Sequence, residues 1–148
     1  MAKFQYRMEN ILDIKEKLET QAKTDFAQET SKLHDEELKL LAIYDDINEY
    51  EDKLREQNEG LLKIQELKRC NDAIKIKKLQ AKEQKKNISI AQKNVDIARG
   101  KLNRVMIERK TQEILKDKAF DEFKKELEEQ ESKEVDEVVS FQYSKIEW

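Results

Sequence analysis

The chain has 148 residues, 43% of them charged, with a formal net charge of −3, two glycines and no proline. Its 37% of hydrophobic residues is low for a compact globular core, whereas abundant Lys, Glu, Leu, Ala and Gln favour long helices. The near-neutral balance gives no global pull toward nucleic acid or an anionic membrane, and no apolar run reaches membrane-spanning length.

The opening Met-Ala-Lys-Phe-Gln-Tyr-Arg lacks the apolar stretch of a signal peptide, which together with a single cysteine predicts a reducing, cytoplasmic setting. A first helix is predicted over 3–58. Phe4, Ile11 and Leu18 define one seven-residue register, and Phe26, Leu33, Leu40, Ile47, Leu54 and Leu61 define another. Steps of four through Leu18, Ala22 and Phe26 join the two, the mark of a stutter. A sustained sevenfold repeat keeps one narrow seam against a neighbouring helix, the signature of a coiled coil.

A turn with a short bridging helix is predicted over 59–71. Gly60 suits the left-handed residue that ends a helix, and Asn71 or Asp72 suits the next cap. Leu61, Leu62, Ile64 and Leu67 supply the apolar residues of the bridge. A second helix is predicted over 72–137, with Ile74, Ala81, Ile88, Val95 and Leu102 seven apart. A step of four to Met106, followed by Phe120 and Leu127, predicts a second stutter. Folding back near residue 64 brings Ala22 level with Met106, so the two stutters meet. It also lays an acidic run (Glu29 to Glu59) beside a basic run (Lys68 to Lys101). Opposite charges beside a seam set pairing and orientation, whereas a parallel homodimer would face the acidic run with its own copy. A break at Lys85–Asn87 would misalign the stutters.

The expected fold is therefore all-α: a single-domain, monomeric, two-helix antiparallel coiled-coil hairpin over 1–148, its arms ~80 Å long at 1.5 Å per residue. Beyond Leu127 the chain is expected to overhang its partner arm, with a tail over 138–148. The overhang begins acidic, with Glu126, Glu128, Glu129, Glu131, Glu134, Asp136 and Glu137. It ends apolar, with Val135, Val138, Val139, Phe141, Tyr143, Ile146 and Trp148. Such a segment suits a docking element that orders on binding, or a frayed tail.

Little in the sequence suits catalysis. Glycines at 60 and 100 cannot build a phosphate loop, and no Cys/His set has metal-ligand spacing. His34 follows Leu33 and reads as solvated surface, and Cys70 reads as a small side chain near a helix end. Carboxylates on a solvated rod lack the burial that tunes acids and bases. No enzyme, cofactor or metal is expected. The basic stretch from Lys63 to Arg104 could track phosphates, but it lacks aromatics for stacking and faces the acidic arm, so nucleic acid is not an expected partner. Phe4, Phe120 and Phe123 read as packing residues, and Tyr44 and Tyr50 as half-exposed rings beside the seam.

Three stretches together resemble the FliJ family, the small stalk component of the flagellar type III export apparatus. They are Phe4 to Lys17, with Tyr6, Ile11 and Leu12; Leu38 to Tyr50, with Leu40, Leu41 and Tyr44, and later Gly60; and Glu108 to Glu137. The last contains Arg109, Lys110, Glu113, Leu115, Phe120, Phe123 and the terminal Asp136 and Glu137. The resemblance implies a hairpin like a rotary-ATPase stalk that binds the export ATPase hexamer through the end carrying both termini. It also implies promotion of ring assembly, contact with the membrane export-gate protein and service to export chaperones. The location implied is cytoplasmic and peripheral to the inner-membrane apparatus, without direct membrane insertion. Gate contact is implied for Leu41, Tyr44, Tyr50 and Ile74. Tyr50 stands two residues beyond the family's second tyrosine, and Cys70 and Ile74 stand where the family carries an aromatic. ATPase contact is implied for Phe4, Met8, Ile11, Phe120, Phe123 and Leu127. A stalk from a virulence-type secretion system and a structural coiled-coil spacer remain alternatives.

Overall fold

A computed structural model describes residues 3–58 and 64–146. Two helices, α1 (Glu9–Asn58) and α2 (Ile64–Ile146), pack against each other as a helical hairpin, with no strand among the described residues. The first helix begins at Glu9 rather than at residue 3. Residues 3–6 are non-helical, and the amide of Glu9 donates to the Tyr6 carbonyl at 3.1 Å, closing a turn into α1. The departure from helix lets Phe4 and Tyr6 reach α2.

The second helix begins by Ile64, eight residues before the predicted cap at Asp72. Leu67 is half-buried and Cys70 buried, so the seam of Ile74 runs on toward the N-terminus and holds the backbone helical. A cap contributes only about 1 kcal/mol, too little to stop a helix whose apolar face is still being covered. The turn predicted at Gly60, Leu61 and Leu62 lies outside the described residues. At the other end, the predicted tail is helix as far as Ile146, consistent with a stretch free of proline and glycine.

Contacts divide the chain into two compact units, unit 1 being 1–20 with 104–148, and unit 2 being 21–103. In unit 2 the helices run antiparallel: Lys77 pairs with Asp46 at 3.0 Å, Gln84 donates to the Glu36 carbonyl at 2.8 Å, and the Arg99 guanidinium lies 5.6 Å from the Phe26 ring. The covered positions on α1 include Ala22, Phe26, Glu29, Leu33, Glu36, Leu40, Ile43, Ile47, Tyr50 and Leu54, a series in which each stands three or four residues from the next, with Asp46 and Glu51 half-buried beside it. Facing them are Ile74, Ala81, Ala91, Val95 and Ala98, all buried. Small alanines on α2 let the larger α1 residues close on the seam, the large-to-small complementarity expected of packed helices.

Unit 1 is also antiparallel but its seam is polar. Leu12 is covered, at 3% exposed, and the next α1 seam positions are Lys15 and Glu19. On α2 the matching positions are Val105, Arg109, Gln112, Lys116, Ala119 and Phe123. Lys15 meets Glu108 at 2.8 Å, Lys116 meets Glu9 at 2.9 Å, and Arg109 bridges to Glu19.

These positions overturn both predicted stutters. Leu12, Glu19 and Phe26 are seven apart, as are Val95, Leu102, Arg109, Lys116 and Phe123, so the repeat never changes phase. Ile11 and Leu18, which defined the early register, are exposed; Ile11 is 40% exposed. Met106 is half-buried beside Val105. The apolar pattern misleads because ion pairs occupy the seam where apolar side chains would otherwise stand.

Candidate partner-binding site

The residues singled out for ATPase contact all belong to unit 1. Its non-helical start lays Phe4 edge-on to Phe120, with centroids 5.1 Å apart, and tilts it against Phe123 at 5.5 Å. The Tyr6 hydroxyl donates to Gln112 Oε1 at 3.0 Å, which fixes the segment's course along α2. An open groove beside this cluster is lined by Phe4, Tyr6, Met8, Leu115, Phe123 and Glu126. Met8, Ile11 and Phe120 are exposed, and Leu127 and Phe123 are half-buried. The structure thus brings Phe4, Phe120 and Phe123 together and leaves Met8, in the turn before α1, and Ile11, in its first turns, as exposed apolar surface. Lys124 stands 5.1 Å from the Phe120 centroid, giving that ring a cationic edge.

The residues singled out for gate contact all belong to unit 2 and do not form one surface. Leu41 is 56% exposed, and Tyr44, three residues on, is exposed with Lys85 of α2 lying 5.8 Å from its ring centroid. Tyr50 is half-buried with Lys53 5.5 Å from its ring. Ile74 is 8% exposed, a seam residue that supports the arm from within. Leu41, Tyr44 and Lys85 make the accessible part.

Electrostatics follow the cross-helix contacts. The Glu36 carboxyl is held below its usual range chiefly by the hydrogen bond from Gln84, with Lys39 adding to it. Arg109 is pushed upward by hydrogen bonds to Glu113 and then Glu19, and Lys116 by its bond to Glu9. Each shift favours the charged form, so these groups fasten the arms rather than exchange protons near neutrality. Cys70 is a free, buried thiol, and no group of His, Cys, Asp and Glu able to hold a metal occurs among the described residues. His34 is exposed, as its place beside Leu33 implies. Among the described residues no helix is long and apolar enough to cross a membrane.

Two features escape the apolar pattern, and a third lies within it. The Glu19–Arg109 bridge stands at sevenfold positions but is charged, so a scan for apolar repeats passes over it. Lys85 on Tyr44 is visible only once the arms are aligned. Ile90 and Ile97 form an outer pair, seven apart and two places beyond Ile88 and Val95, which the sequence does contain.

Neither curated proteins nor solved structures give a match to this chain. The family model described as flagellar FliJ protein matches residues 4–147, which takes in the aromatic start, both helices and the overhang. With nearly the whole chain matched and the helical hairpin in place, the protein belongs to the FliJ family.

Proposed function

We propose that this chain is a non-enzymatic stalk of the flagellar type III export apparatus, working through protein contacts alone. The observation that carries the reading is the family match over residues 4–147. Unit 1 engages the export ATPase hexamer and promotes its assembly, through Met8, Ile11 and the rings of Phe4, Phe120 and Phe123, with Leu127 at the edge. Unit 2 engages the membrane export-gate protein through the exposed Leu41 and Tyr44, with the half-buried Tyr50 as a separate contact and Ile74 supporting the arm from the seam. Exposed apolar and aromatic side chains beside charged ones are the usual anchors of such contacts. The stalk serves export chaperones as a monomer when engaged, in the cytoplasm and peripheral to the inner membrane.

The fold supports this reading mechanically. Two helices fastened by cross-helix ion pairs in unit 1 and by an apolar seam in unit 2 give each contact surface a stiff support, which reduces the ordering cost of binding. The test is the hydrolysis rate and hexamer fraction of the purified cognate export ATPase with and without the full chain. The proposal expects both to rise, and no change in either overturns it. A virulence-type apparatus as the true host would show as stimulation of that system's ATPase instead.

A further inference from the structure

The hairpin leaves two apolar stripes uncovered, and they carry opposite charge. The first lies on α2 in unit 2, where Ile76, Leu79, Ile90 and Ile97 are exposed, Ile97 by 58%. They stand two or five places beyond the sevenfold series of Ile74, Ala81, Ile88 and Val95, on the side of the helix away from the seam. Lys75, Lys82, Lys86 and Lys93 flank them. Lys86 reaches Glu83 of its own helix at 3.8 Å, whereas Lys75, Lys82 and Lys93 have no ion-pair partner among the described residues.

The second stripe lies on the overhang of α2 in unit 1, where every described side chain from 128 to 145 is exposed. Val135, Val138, Val139 and Tyr143 follow helical spacing and share one face. From Glu126 to Glu137 the overhang carries seven carboxylates and the single cation Lys133. Neither stripe is covered by another described residue, and the first is flanked mainly by lysines, the second mainly by carboxylates.

We propose that a second copy of this chain covers these stripes in the free protein: the acidic overhang of one copy lies along the basic isoleucine face of α2 in another. Aliphatic residues at helical spacing on both surfaces supply the buried contact, and the lysine and carboxylate flanks fix which surfaces meet. Like surfaces are kept apart, since two overhangs or two isoleucine faces would set equal charges together. This pairing does not rest on the export reading.

Sedimentation velocity of the full chain, from low to high micromolar concentration, reads the association directly. The expected result is a monomer that becomes a larger species with concentration. Its midpoint rises at least about tenfold when salt goes from 0.1 M to 1 M, over which the Debye length falls from about 10 Å to about 3 Å. Ile97→Glu sets a carboxylate in the basic face, and Val139→Lys sets a cation in the acidic stripe, so each alone abolishes association. The two changes together restore part of it. Both positions are exposed, so far-UV circular dichroism stays at the wild-type signal. Zero-length carbodiimide cross-links between isotopically heavy and light copies should join Glu131, Glu134, Asp136 or Glu137 to Lys75, Lys82, Lys86 or Lys93. A chain that stays monomeric throughout overturns the proposal. So does association that ignores both substitutions or cross-links through other surfaces.

Discussion

Leu12→Ala and Ile11→Ala, one residue apart, separate the seam seen in the structure from the one that apolar spacing suggests. Leu12 is 3% exposed and begins the seam of unit 1, and Ile11 is 40% exposed on the neighbouring stripe. Truncating a buried leucine costs about 2–5 kcal/mol, through lost transfer energy and the cavity left behind. Between only two helices no described side chain is fully enclosed, which sets the expectation for Leu12 at about 2–3 kcal/mol, the low end of that range. Ile11 already meets water, and alanine is the better helix former by a few tenths of a kcal/mol, so its truncation costs less than about 1 kcal/mol. At roughly 2–4 °C per kcal/mol for a chain of this length, Leu12→Ala lowers the midpoint by about 4–12 °C and Ile11→Ala by less than about 4 °C. Thermal and urea unfolding followed by far-UV circular dichroism measures both. Equal losses, or a larger loss from Ile11→Ala, would refute the register.

Three further outcomes follow from the same packing. Arg109→Ala lowers the unfolding midpoint, because the covered Glu19 carboxylate loses its guanidinium. Replacing Glu19 and Arg109 together by leucine returns the midpoint to wild type or above, since both stand at sevenfold seam positions. Gly100→Ala stabilises by about 0.5–1 kcal/mol in urea titration, because Gly100 is helical and an added methyl meets nothing within 4 Å beyond the adjoining residues and backbone of its own helix. For Glu36 the folded-state pKa lies below the unfolded one, so its contribution is complete above the usual carboxylate range and is lost as pH falls through the folded value. The stability difference between wild type and Glu36→Gln should therefore be largest near neutrality and vanish in acid, which unfolding at a series of pH values reads.

How far the fold was legible from the residues depends on what fills the seam. Phe26, Leu33, Leu40, Ile47 and Leu54 on one arm, and Ile74, Ala81, Ile88, Val95 and Leu102 on the other, are apolar and seven apart, so the antiparallel hairpin of unit 2 could be read directly. In unit 1 the same phase is carried by Lys15, Glu19, Arg109 and Lys116, whose burial depends on partners from the other helix. Sequence order cannot display such pairing, and the exposed Ile11 and Leu18 beside those positions suggested a stutter instead. The start of α2 differs from the one that capping residues suggest for a related reason. Asn71 and Asp72 have strong capping chemistry, but coverage of Leu67 and Cys70 outweighs it. Among the candidate contact residues, the clustering of Phe4, Phe120 and Phe123 follows from the hairpin alignment. The burial of Ile74 was also implicit, because it belongs to the seam series itself.

If unit 1 binds the ATPase and unit 2 the gate protein, as proposed, each contact can be lost without the other, and crossed affinities show whether it is. Binding of the full chain to the export ATPase and to the cytoplasmic part of the gate protein would be measured for wild type, Phe123→Ala and Tyr44→Ala. Truncating an aromatic anchor commonly costs about 2 kcal/mol or more, roughly a thirtyfold loss of affinity. Phe123→Ala is expected to weaken ATPase binding by about that much and spare the gate, while Tyr44→Ala does the reverse. Loss of both partners from one substitution, or unchanged affinity in both variants, would contradict the proposal.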